Sequence, residues 1–396
     1  MKQISILGFP QNVLILSFVS FLNDVGGQTI KYAIPLFLTN ALGVKTSIVG
    51  IVEGIGEATP QLFQPLSGWI SDKAKSRKPL IIGGQILRSS ILLLFFASSW
   101  LIVLLARFLD RSGKGIQGAP RDALISQSAE SGKQGKAFGL SRALDNAGAV
   151  VGLILAGILT LLIGKASLGL TIELFHSIVL FATIPMAIAV ILLFLFVRDV
   201  STKETKKREV KIEKLDTAFY QFLFIIFLFT LGNSSDAFLI LKAQKAGLSI
   251  SSIFFLLAAF SLIASLLNIP AGIVSDKFGR KKTILLGWLL YAGVYLGFAK
   301  FESAMPIIFL FLLYGVYYGL TEGVAKAYVA DIVPLEKKGY AFGLYNMVTG
   351  LTLLPASFVA GFLWQTISPS AAFLFGGSLA IVASSGLFLL RRVKND

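Results

Sequence analysis

GIVSDKFGRKK, from Gly272 to Lys282, and GWISDKAKSRK, from Gly68 to Lys78, are the two stretches from which the architecture follows. They stand 204 positions apart. The same offset pairs Ala137-Phe138-Gly139-Leu140 with Ala341-Phe342-Gly343-Leu344, Gly83 with Gly287, and Gly157 with Gly361. One offset shared by so many positions reads as a duplication, and each copy of the basic turn follows a long apolar run.

Apolar runs of this kind recur along the whole chain. Of 396 residues, 55% are hydrophobic and only 14% charged, and the mean hydropathy is +0.78. A spanning helix needs about twenty mostly apolar residues. Twelve such stretches are predicted, at 12–38, 48–70, 80–98, 101–121, 138–164, 171–197, 217–241, 250–274, 283–299, 305–328, 340–365 and 370–390. The expected fold is therefore an all-α integral membrane protein with twelve transmembrane helices in two pseudo-symmetric six-helix bundles. The bundles are placed at 1–197 and 217–396, with a cytoplasmic linker at 198–216 whose composition (RDVSTKETKKREVKIEKLD) is the longest polar run in the chain. The first apolar stretch begins near Val13 without a small-residue cleavage site, so it is expected to be a retained helix.

The net charge of +15 could suggest nucleic acid, but its distribution argues otherwise. Loops on one side of the expected spans carry twenty-three Lys and Arg residues, against five on the other. This asymmetry places both termini in the cytoplasm of a bacterial-type inner membrane. With no cysteine and one histidine, His176, the chain has no disulfide, no thiolate metal site and no multi-histidine zinc site, so no metal centre is expected.

At the two basic turns the pattern resembles the major facilitator superfamily. Residues 272–282 fit that family's G-x-x-x-D-[RK]-x-G-[RK]-[RK] signature, while the first copy has Lys75 in the glycine position and Ser76 where a base is usual. Gly68, Asp72, Arg77, Lys78, Gly272, Asp276, Arg280 and Lys281 are then candidates for a conformational latch, the glycines permitting close helix approach and the aspartates pairing with cations. Bases that merely enforce topology are the alternative. In the fifth span, Gly139, Gly148, Gly152 and Gly157 have the spacing of the antiporter motif of the family's drug/proton exporters, with Leu153 where proline and Ala156 where glycine is expected. Plain small-residue packing explains the same spacing equally well.

Ionisable groups within spans are expensive and mark function by default. In the fourth span, Arg107, Arg111, Lys114 and Arg121 fall on one helical face. Arg111-Ser-Gly-Lys114-Gly115-Ile-Gln117-Gly118-Ala119 loosely resembles the family's helix-4 motif, whose arginine is thought to assist proton transfer. The resemblance implies this role for Arg111, with Asp110 beside it; a purely structural ion pair is the alternative. Asp24, Gln28 and Lys31 share a face of the first span, and Asp24 is the leading carboxylate for proton coupling. Glu53 and Glu57, with Arg142 and Asp145, are expected as buried counter-charges.

In a facilitator-like fold, spans 1, 4, 7 and 10 line a central cavity. That implies substrate contacts from Gln28, Lys31, Arg107 and Lys114 in one half and from Asn233, Asp236, Tyr314, Tyr318, Glu322 and Lys326 in the other.

The expected function is secondary active transport of a small organic, charged or amphipathic solute by alternating access. Proton coupling is expected, with efflux by an antiporter slightly favoured. No G-x-x-x-x-G-K-[ST] loop is present, so the proton gradient is the expected energy source and no cofactor is called for. Uptake of a nutrient, metal chelate or siderophore is the alternative. A membrane-embedded transferase is the alternative of another class, disfavoured by the lack of a nucleophile–base pair. The expected partners are a small-molecule substrate, protons and membrane lipid, with no nucleic acid, and the expected state is a monomer.

Overall fold

The structure is a computed structural model that describes residues 5–6, 8–74, 76–130, 132–164, 167–199, 215–334 and 337–390. Most of the 198–216 linker, together with Lys75, therefore lies outside the described residues.

Among the described residues, thirteen α-helices follow one another. They are α1 (Gln11–Leu36), α2 (Thr46–Lys73), α3 (Lys78–Arg88), α4 (Trp100–Ser128), α5 (Gln134–Gly164), α6 (Ile172–Phe196), α7 (Thr217–Gly232), α8 (Ala237–Lys245), α9 (Ile250–Phe278), α10 (Arg280–Lys300), α11 (Ala304–Ile332), α12 (Lys338–Thr366) and α13 (Pro369–Leu389). Ten helical segments among the described residues are long and apolar enough to cross a membrane. α2 and α4 match them in length, at 28 and 29 residues, and carry the in-span charges singled out above.

Three of the twelve expected spans differ from a continuous α-helix, the first only at its end, where α1 passes into a π-helical turn over Phe37–Ala41. The third tightens into a 3-10 helix over Ser89–Phe96, after α3 has ended at Arg88. The seventh breaks between α7 and α8, where Asn233, Ser234, Ser235 and Asp236 leave the helix. Asn, Ser and Asp hydrogen-bond the nearby backbone in non-helical conformations, and Gly232 adds the weakest ordinary helix propensity.

The chain folds into two compact units. Unit 1 comprises residues 1–44, 59–207 and 249–258; unit 2 comprises 45–58, 208–248 and 259–396. The first part of α2 thus belongs with unit 2 and the first part of α9 with unit 1.

Unit 1 is held by α1, which packs on α5 and α6, with a core built around Val13, Leu16, Val19, Ile81, Leu124 and Leu193. Lipid is as apolar as these side chains, so close packing and internal hydrogen bonds carry the association. A Cβ at Gly148 would sit 2.4 Å from the Phe21 carbonyl oxygen, and one at Gly152 would sit 2.3 Å from that of Val25. The α1–α5 contact is therefore backbone against backbone, tied by Thr29 Oγ1 donating to the Gly152 carbonyl at 3.0 Å.

Unit 2 is built differently, around aromatic rings. Trp288, Tyr291, Tyr295, Tyr314, Phe298 and Phe311 are all fully buried there. Within the same unit, the first half of α2 lies on α12: Ser47 Oγ donates to Gln365 Oε1 at 2.7 Å, and Gly50 approaches the Ser357 carbonyl too closely to admit a side chain.

Candidate functional site

In unit 1, α3 and α4 cross with Gly84 against Gly113, where a Cβ on either would fall within 2.7 Å of the other's carbonyl oxygen. That crossing brings Arg88, at the end of α3, onto the charged face of α4. Arg88 Nε lies 3.6 Å from Asp110 Oδ1, and Arg111 Nε lies 3.8 Å from Asp110 Oδ2. All three side chains are more than nine-tenths buried, as is Arg107, one turn before Asp110. One carboxylate is thus shared by two guanidinium groups in a low-dielectric interior, where removing one charge leaves the others costly. Lys114, further along the same helix, is exposed.

A second ionic group forms toward the other end of α4. Arg121 Nε and Nη2 donate to Asp122 Oδ1 at 3.1 and 3.0 Å, and Nη1 donates to Ser20 Oγ on α1. Asp24 on α1 and Asp145 on α5 both lie in electrostatic range of this guanidinium. Arg142 is exposed, while Gln28 and Lys31 are half-buried farther along α1. Between the two groups, Asn23 and Gln85 exchange two buried side-chain hydrogen bonds of 2.9 and 2.7 Å, pinning α1 to α3.

Arg88 is a residue that the candidate site drawn from the sequence left out, and Arg121 was read there only as a member of the charged face of the fourth span. For Arg88 a cation inside a span was the available signal, but its partner Asp110 sits on a different helix, at a separation the chain order does not reveal.

In unit 2 the centre of interest is the α7–α8 break. Asp236 occupies the capping position of α8 without capping it; Ser235 Oγ accepts from the Ala237 N–H instead, at 3.2 Å. Ser235 Oγ also donates to Glu53 Oε2 at 3.3 Å, and the Ser235 N–H donates to Ser357 Oγ on α12 at 3.2 Å. The Asp236 carboxylate accepts from Tyr314 Oη at 2.9 Å, in the tyrosine group formed with Tyr291, Tyr295, Tyr317 and Tyr318. Tyr291 Oη donates to the Gly232 carbonyl at the end of α7, and Asn233 Nδ2 donates to Tyr317 Oη. The break is thus hydrogen-bonded to α10, α11 and α12, as non-helical backbone at membrane depth requires. Asp236, Asn233, Tyr314 and Tyr318 come together here. Glu322 and Lys326, farther along α11, are exposed, and Glu57 on α2 is half-buried.

The two basic turns tie helices within their own units. Arg77 pairs with Asp72 at 3.6 Å and donates to Ser71 Oγ at 3.1 Å, while Arg280 pairs with Asp276 at 3.3 Å and with Asp331. Lys78 Nζ donates to the Phe194 carbonyl, and Lys281 Nζ donates to those of Phe388 and Leu390. Gly68 is in ordinary contact with Ala119, while Gly139 and Gly272 meet nothing; Gly157 packs against the Phe255 ring. The lone His176 stacks on Phe95 with ring centroids 4.3 Å apart.

Comparison with known proteins agrees with this architecture. The chain is 38% identical over 391 residues, 96% of its length and 94% of the other protein's, to an uncharacterized MFS-type transporter of Methanocaldococcus jannaschii. It is 33% identical over 150 residues, 36% of each chain, to multidrug resistance protein 2 of Bacillus subtilis. The fold matches a crystal structure of a POT family transporter in complex with 5-aminolevulinic acid, with a TM-score of 0.80 at 14% identity, covering 97% of this chain and 96% of that one. The family model for the Major Facilitator Superfamily matches residues 16–242 and again 222–396, once for each repeat. This multi-pass membrane protein, a transporter and not an enzyme, belongs to the Major Facilitator Superfamily.

Proposed function

We propose that the chain moves a small charged or amphipathic organic solute across the bacterial-type inner membrane by alternating access, driven by the proton gradient, with export the favoured direction and both termini cytoplasmic. The feature that carries this reading is the Arg121 guanidinium, paired with Asp122 and hydrogen-bonded to Ser20 of α1, with Asp24 and Asp145 within its electrostatic range. Several acids about one cation suit an exchange in which one acid takes a proton as another keeps the ion pair. The Arg88–Asp110–Arg111 cluster then supplies the charge that orients a solute bearing an ionised group. The partial likeness to multidrug resistance protein 2 of Bacillus subtilis favours export of an organic compound.

The test is transport by the full-length protein in sealed liposomes, with ethidium and a panel of organic anions as probes, with and without an imposed pH gradient. Gradient-driven movement of a probe is expected. Asp24→Asn should abolish that drive while sparing probe exchange at equal pH on both sides. Movement indifferent to the gradient, or an unaltered gradient response in the Asp24→Asn variant, would overturn the proposal.

A further inference from the structure

The duplicated turns differ in what meets them. In unit 1 the turn that leads into α3 holds an anion of its own, since Ser76 Oγ and the Arg77 backbone N–H, the latter at 3.3 Å, both donate to the Asp199 carboxylate. The amides that open a helix have no intrahelical acceptors and favour negative charge. Beside this contact, Lys78 ties down the end of α6 through the Phe194 carbonyl.

Unit 2 repeats the arrangement at the start of α10. Gly279, at φ 97°, turns the chain into a helix with no side-chain cap, and Lys281 ties down the end of α13 through the Phe388 carbonyl. Among the described residues, the acid that lines this second turn is Asp331 of α11, and it is paired with Arg280 rather than with the amides that open the helix.

Where unit 1 places its own carboxylate, unit 2 has a cavity of about 420 Å³. Arg280, Lys281 and Lys282 line it against a single acid, Asp331. Arg280 is already held by Asp331 and Asp276, and Lys281 by carbonyls, whereas Lys282 is exposed. Phe278 and Phe388, 69% and 68% exposed, are among the apolar residues of its lining, so the site joins a positive floor to an apolar rim. It lies on the Lys- and Arg-rich side of the chain, where basic pockets between spanning helices bind anionic headgroups. A free phosphate would satisfy the bases and leave both phenylalanines wet. A phospholipid satisfies both features.

We propose that this pocket holds the phosphate of an anionic glycerophospholipid, which does for the α9–α10 turn what Asp199 does for the α2–α3 turn.

The experiment uses the full-length protein, purified in detergent and stripped of lipid, then titrated separately with phosphatidylglycerol, phosphatidylcholine and inorganic phosphate. Retained lipid is counted by native mass spectrometry, and stability is followed by thermal melting. One tightly retained phosphatidylglycerol and a saturable rise in Tm are expected, with no rise from inorganic phosphate. Lys282→Gln should cut retention at least threefold and Lys282→Glu should abolish it, whereas Lys73→Gln, an exposed cation of the other turn, should not change it. Asp199→Ala, which vacates the unit 1 turn, should add a second retained lipid. Equal retention of phosphatidylcholine, equal protection by inorganic phosphate, undiminished retention in Lys282→Glu, or no second lipid in Asp199→Ala would each overturn the assignment.

Discussion

Arg88 and Asp110, on neighbouring helices and 22 positions apart in the chain, face each other at 3.6 Å in the interior of unit 1, each with a side chain less than a tenth exposed. Asp110 also faces Arg111, so this one carboxylate neutralises more than its own share of charge.

Asp110→Asn is therefore expected to be the most damaging single substitution in α4. It keeps the volume but leaves the buried Arg88 charge without its carboxylate, a loss of about 3 kcal/mol on the scale of broken buried ion pairs. Thermal melting of the purified protein should show a large fall in Tm. The double variant Arg88→Met with Asp110→Leu should recover only part of it, because it removes the Arg88 and Asp110 charges together but leaves buried Arg111 without this carboxylate.

Gly152→Val and Gly139→Ala, in the same helix and the same motif, should behave oppositely. A Cβ at 152 meets the backbone of α1 at 2.3 Å, and backbone cannot swing aside as a side chain can. Overpacking of this kind costs about 1–3 kcal/mol or separates the helices. A Cβ at 139 meets nothing within 4 Å, so Gly139→Ala should match the native protein in yield, elution profile and Tm.

Tyr314→Phe removes the hydroxyl that donates to Asp236 while leaving the ring in its aromatic stack. Taking a donor from a buried carboxylate costs about 1–3 kcal/mol. The effect should be local, read as faster amide exchange in residues 232–240 around the helix break, with exchange in unit 1 unchanged.

Lys281→Met keeps the length and apolar stem of the side chain but gives up its hydrogen bonds to the Phe388 and Leu390 carbonyls. These are the unpartnered acceptors of a helix end, and charged donors to such groups contribute about 1.5–3 kcal/mol each when well placed. Fraying of the last turn of α13 is expected, measured as faster amide exchange over residues 386–390.

The succession of spans was legible because lipid demands about twenty apolar residues per crossing, and polar loops punctuate them. Lys78 and Lys281 were legible as members of a repeated turn, though not as ties to the ends of α6 and α13. The break at 233–236 left a local signal in Gly232-Asn-Ser-Ser-Asp236, five residues that are all poor helix formers, yet the hydropathy across it still reads as a single span. The role of Arg121 could not be read from α4 alone, because Ser20 and Asp145 reach it from α1 and α5.

From sequence alone came the membrane as solvent, the twelve crossings, the duplication and the charged face of α4, since each depends on composition or on a fixed period along the chain. Tertiary structure decided which polar groups meet: that Arg88 shares Asp110, that Arg121 reaches Ser20 on α1, and that Asp236 turns from its own helix to Tyr314. An ion pair is a relation of distance in space. Close approach of glycine-bearing helices, rather than nearness along the chain, sets that distance where α3 crosses α4 and where α1 lies on α5.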